Sequence, residues 1–226
     1  MIFHTRCAYA LVVALLSACA AKPPVPDWQI EAQSASGRAV KAYLEGERRV
    51  AQVEWAKAQR EVAATGQPAQ MARLALLECA AQTAALELTE CPRYNRYAQA
   101  AAPAEQAYAR YLQAQHGAAD VALLPAAQQG VALQLLAQAQ VVLPQAEPLS
   151  RLTAAGVALR AGVIDRQGVE QAMDTASAQG WRRAVMAWAL VAQRMAQAAG
   201  DTAAVNALAL RLQVLLEHEA VLPIKK

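Results

Sequence analysis

Cys79 and Cys91 are the pair of side chains in the middle of the chain best able to form a covalent or metal bond. A CxxC spacing would favour redox chemistry and a nearby histidine would favour a metal site, and neither surrounds them. Of the histidines, His116 precedes Gly117 at an expected helix end, where an imidazole meets terminal carbonyls. His218 lies in Glu217-His218-Glu219, and a zinc-protease helix would need a second histidine four residues on, where Leu222 stands. Both read as surface or capping residues. Ser34, Ser36, Ser150 and Ser177 lie in neither a GxSxG elbow nor an SxxK arrangement. Glu170 and Asp174 share a helix face, as paired acid/base carboxylates do, but a solvated face with ion pairs around Asp165 and Arg166 explains them more simply. No catalytic residue, metal or cofactor is expected.

Two groups remain as binding candidates. In Gln179-Gly180-Trp181-Arg182-Arg183 a helix start presents free N–H groups beside two arginines, an arrangement suited to an anion or a partner contact. The plainer alternative is that Trp181 packs in the core and the arginines are solvated. Tyr94, Tyr97, Tyr108 and Tyr111 form two i, i+3 pairs, which suit either a partner surface or a hairpin seam.

The first residues carry an address. Met1 to Arg6 form a short positive start, and Cys7 to Leu16 form an apolar run too short for the ~20 residues that span a bilayer core. Leu16-Ser17-Ala18-Cys19 follows, and it resembles the lipobox of bacterial lipoproteins. The resemblance implies cleavage before Cys19 and lipidation of its thiol. It also implies, because Ala20 rather than Asp follows, sorting to the outer membrane of a Gram-negative envelope, facing the periplasm. An ordinary secretory signal cut near Ala18 or Ala20 is the other reading, and it exports the chain as well. Residues 1–18 are then signal, 19–26 a lipidated, proline-rich tether and 27–226 the helical domain. Membrane contact is expected through the lipid, since no later stretch reads as a span. In an oxidising compartment the even pair Cys79 and Cys91 reads as a disulfide. One continuous helix would hold them ~18 Å apart, so the helix carrying Cys79 must end near Ala84-Ala85 and the chain must double back.

Loss of Arg6 with the signal lowers the net charge from +3 to +2, and no basic run is longer than Lys225-Lys226. A nucleic-acid partner, which needs a clustered basic face, is not expected. Alanine accounts for 58 of 226 residues, and the sole phenylalanine is Phe3. Such a composition predicts an all-α chain. Helical periodicity breaks at Gly46, Gly66, Gly180 and Gly200, with Asp27, Asp165 and Asp201 as expected N-caps. Further helices are expected over 103–115, 125–140 and 147–161, and Pro223 closes the last one. Stacked antiparallel hairpins with Gly-Asp or Gly-Glu turns resemble a degenerate tetratricopeptide-type solenoid, though no 34-residue period runs through the chain. The whole also resembles alanine-rich Gram-negative lipoproteins of uncharacterised activity. The expected role is a protein-interaction scaffold or assembly factor with an envelope protein partner. The alternative is an envelope enzyme or small-ligand binder acting on peptidoglycan fragments or lipid.

Overall fold

The computed structural model describes residues 24–221, with side chains through Glu217. The signal segment, Cys19, Pro223 and the side chain of His218 lie outside the described residues. Among those described, ten α-helices and two 3₁₀ turns are present and there is no strand, as the composition predicts.

Helices α1 (Asp27–Glu45) and α2 (Arg48–Ala63) form an antiparallel hairpin. Its seam is small on one side, with Ala32, Ala35, Ala39 and Ala42, and Trp55 fills it from the other beside Ala51, Ala58 and Val62. Gly46 makes the turn at φ 92°, a left-handed conformation that costs a glycine little. The Glu47 N–H then donates to Ala42 O at 2.8 Å, closing the end of α1. Asp27 is the first helical residue rather than the N-cap. Pro26, held extended at ψ 144°, takes that place, and its carbonyl accepts from Gln29 N. Asp165 and Asp201 do cap their helices, accepting from Gly168 N at 2.8 Å and Ala204 N at 3.0 Å.

Helix α3 (Pro68–Ala84) occupies the centre. It is apolar around most of its circumference and is covered accordingly, by α1, α2, α4 (Pro92–Asn95), α5 (Pro103–Leu112) and α7 (Pro148–Arg160). It stops at Ala84, where the sequence argument requires. The chain turns back through Leu86 at φ 60°, and Cys79 and Cys91 join as a disulfide with Cα atoms 5.4 Å apart. Pro92 opens α4 one residue later.

Helices α5 and α6 (Ala126–Leu136) are shorter than periodicity predicts. Both end where a non-glycine residue turns left-handed, Ala114 at φ 55° and Gln138 at φ 49°. The next N–H closes each end, Gln115 N to Arg110 O and Ala139 N to Gln134 O. No glycine marks these stops, so the sequence carries no local sign of them. A 3₁₀ turn at Ala118–Leu123 joins the two helices.

Helices α8 (Arg166–Ala178), α9 (Arg182–Ala198) and α10 (Thr202–Val221) form the final hairpins, turned at Gly180 (φ 67°) and Gly200 (φ 70°). The hairpins are those expected, but their contacts go beyond nearest neighbours. Helix α7 crosses α3 and α9 packs on α1. The Trp188 indole, fully buried, donates from Nε1 to Ala84 O at 3.0 Å, tying α9 to the end of α3. The stack thus folds over its central helix rather than running on as the open array of a regular solenoid.

Candidate functional site

The helical repeat of α3 sets the site. Arg73, Leu76, Leu77 and Ala80 fall at i, i+3, i+4 and i+7 on the one face turned toward α5 and the start of α7. Between these helices and Leu123-Leu124-Pro125 lies a groove of about 580 Å³, the roomiest of the cavities that stand out among the described residues. Its volume falls within the range of ~300–1,000 Å³ usual for ligand sites. Leu76, Leu77, Ala80, Leu123, Leu124 and Leu149 supply an apolar floor and wall.

Polar groups stand at the ends. Arg73 Nε and Nη2 donate to Glu105 Oε1 at 2.9 and 2.6 Å. At the start of α7, the Glu147 carboxylate accepts from Leu149 N at 3.1 Å and from Ser150 N and Oγ at 2.8 Å each. Here a side chain of the protein satisfies the free N–H groups of a helix terminus. Thr153 lines the groove with its hydroxyl donating to Leu149 O at 2.8 Å, and Tyr108 contributes a further polar atom. The Tyr108 ring stacks on Tyr111 with centroids 6.1 Å apart, and burial, then the nearby Glu147 charge, pushes its phenol up. It therefore stays protonated and able to donate. Glu147 and the Oε1 of Glu105 are thus engaged in contacts within the fold.

The tyrosines separate by role. Tyr111 is fully buried, its hydroxyl donating to Gln128 Oε1 at 2.7 Å while Gln128 Nε2 donates to Ser150 O at 3.0 Å. Tyr94 is buried, Tyr97 packs half-buried against the core, and Tyr108 is the one that lines the groove. His116 is buried rather than on the surface. Its Nε2 lies 3.0 Å from Ala132 O, a carbonyl of α6 and not of its own helix, and its ring meets Tyr111 edge-on. The reversal at Ala114 turns it inward. Glu170 pairs with Arg166 at 2.9 Å and Asp174 with Arg211 at 3.7 Å, the solvated face expected of them.

Trp181 packs half-buried against the core at the N-cap of α9. Arg183 is matched internally, its Nη2 2.8 Å from Glu87 Oε2 and its guanidinium 4.2 Å above the Tyr43 ring. The Tyr43 hydroxyl donates to the same carboxylate oxygen at 2.6 Å, and burial followed by that bond pushes its phenol up. Arg182 extends to Gly46, where a Cβ would stand 3.0 Å from its Nη2, and it also lines a cleft of about 400 Å³ with Ser177 and Arg211. Tyr43 and Glu87 are partners that no local pattern signals, being 44 residues apart. Close by, burial raises the Glu78 carboxyl, and Arg93 Nε at 3.1 Å partly offsets this.

Beside the disulfide a second cleft of about 450 Å³ is lined by Tyr94, Asn95, Gln99, Gln106 and Gln113. Several of its amides are committed to backbone, Gln106 to Ala101 O and Gln113 to Thr89 O. Among the described residues no group of three His, Cys, Asp or Glu could hold a metal ion, and no helix is long and apolar enough to cross a membrane. No protein-family model, curated protein or solved structure matches the chain.

Proposed function

We propose that the chain is a lipoprotein, anchored through Cys19 in the outer membrane and facing the periplasm, whose helical domain is a protein-interaction scaffold or assembly factor of the cell envelope. The observation that carries the reading is the groove between α3, α5 and α7, a leucine-lined cavity of about 580 Å³ that the folded chain leaves open. An open apolar recess with a few placed polar groups is the usual form of a docking site. The lipobox-like Leu16-Ser17-Ala18-Cys19 and the Cys79–Cys91 disulfide support an envelope address. The tether over 19–26 would hold the domain off the lipid, leaving the groove free to meet a protein.

Two measurements test this. Metabolic labelling with an alkyne fatty acid should mark the wild-type chain and not Cys19→Ser, which should also leave the membrane fraction. In-cell photocrosslinking from Leu77 and Leu123 should trap one discrete envelope protein, whereas crosslinking from Val53 on the outer face of α2 should not. Capture of lipids and abundant porins alone from all three positions would overturn the scaffold reading.

A further inference from the structure

The groove has a chemical bias as well as a shape. Its floor is leucine, so the part of a ligand that enters must be apolar and no larger than a few side chains. The rim carries two carboxylates, Glu105 and Glu147, against one guanidinium, Arg73. Arg73 reaches only one oxygen of Glu105, and the other, Oε2, is buried without a hydrogen-bond partner. The rim is therefore left with a net negative charge, partly sheltered from water, where electrostatic terms are stronger than in bulk solvent. The Tyr108 hydroxyl, which stays protonated, can donate to a carbonyl laid across the floor.

Resting on the scaffold reading, we propose that the groove receives a leucine-type side chain of a partner protein segment that carries a lysine or arginine beside it. The apolar side chain displaces water from Leu77, Leu123 and Leu149, a backbone carbonyl of the segment accepts from Tyr108, and the basic residue lies against the Glu105 and Glu147 rim. Charge complementarity of this kind sets partner choice and register more than raw affinity. It also disfavours an acyl chain with an anionic headgroup, which would meet two carboxylates on entry.

The test uses the full helical domain and three dye-labelled peptides read by fluorescence anisotropy. One peptide carries leucines flanked by lysines, a second has glutamate for each lysine, and a third has alanine for each leucine. The first should bind about tenfold more tightly than either other, and the preference over the glutamate twin should shrink as salt is raised. Leu123→Arg, at a position 43% exposed and so tolerant of change, should abolish binding of the first peptide. Glu105→Gln should keep binding but narrow the preference over the glutamate twin by several-fold. Equal binding of the lysine and glutamate peptides, no binding of any, or binding unaffected by Leu123→Arg would each overturn the inference. Those results alongside a discrete groove crosslink in cells would leave the scaffold reading standing, whereas loss of the crosslink would remove that reading itself.

Discussion

Asp120 shows how much one residue can depend on a backbone reversal. It accepts from Arg110 Nε at 2.9 Å and Nη2 at 2.5 Å and from Gly117 N at 2.9 Å. The Arg110 bond, followed by that from Gly117, lowers its carboxyl from the ordinary 3.8 to about 2. A carboxyl depressed on folding contributes stability that is present above its unfolded value and lost as pH falls through the folded one. Asp120→Asn should therefore be less stable than the parent near neutrality, and the gap should close between about pH 4 and about pH 2. Urea unfolding at a series of pH values measures it, and a gap constant down to about pH 2 would show the contribution to be other than electrostatic. The pairing is not legible in sequence. Arg110 and Asp120 are ten residues apart, outside any helical spacing, and meet because Ala114 turns left-handed between them. Tyr108 was visible as one of four tyrosines, but only the groove distinguishes it from its buried neighbour Tyr111.

Two glycines within helices illustrate the same limit for elements. Gly156 in α7 and Gly130 in α6 both read as isolated glycines in helical segments, neutral or mildly unfavourable. In the fold they differ in kind. A Cβ at Gly156 would fall on Thr83 O of α3, whereas one at Gly130 would meet nothing within 4 Å. The obstacle is backbone rather than a side-chain tip, so the crossing would have to open. Gly156→Ala should cost ~1–3 kcal/mol by overpacking, and Gly130→Ala should stabilise by ~0.5–1 kcal/mol through backbone entropy and helix propensity. Thermal unfolding of the two variants decides it, since shifts of the same sign would contradict a close α3–α7 contact at Gly156. The hairpin turns needed no such information. Gly46, Gly180 and Gly200 each take the left-handed conformation that their place after an apolar helical stripe implies.

The molecule closes at one end around the disulfide loop over 85–91. Tyr43 of α1 and Arg183 of α9 bind Glu87, while Gln113 beyond α5 and Arg160 at the end of α7 both donate to Thr89 O. Elements distant in sequence thus share one short segment, and the Cys79–Cys91 bond holds that segment in place. Replacing both cysteines with alanine should cost on the order of 3 kcal/mol through the freed loop of the unfolded chain. If the loop is a shared clamp, denaturant unfolding followed by circular dichroism and by tryptophan fluorescence should shift together. A shift confined to one probe would mean that the loop serves only its own neighbourhood.

The sequence by itself determined what is local. Helix class follows from propensity, hairpin turns follow from glycines after apolar stripes, and the break at Ala84 follows from the distance a disulfide tolerates. Tertiary structure decided which helix meets which. With 58 alanines the helix faces are nearly uniform, so an apolar stripe states that it will be covered without stating by what. The choice is made by the few large or absent side chains, with Trp188 reaching Ala84 O and Gly156 admitting Thr83. The groove beside α3 is the space left by that choice, and it exists in no single segment of the chain.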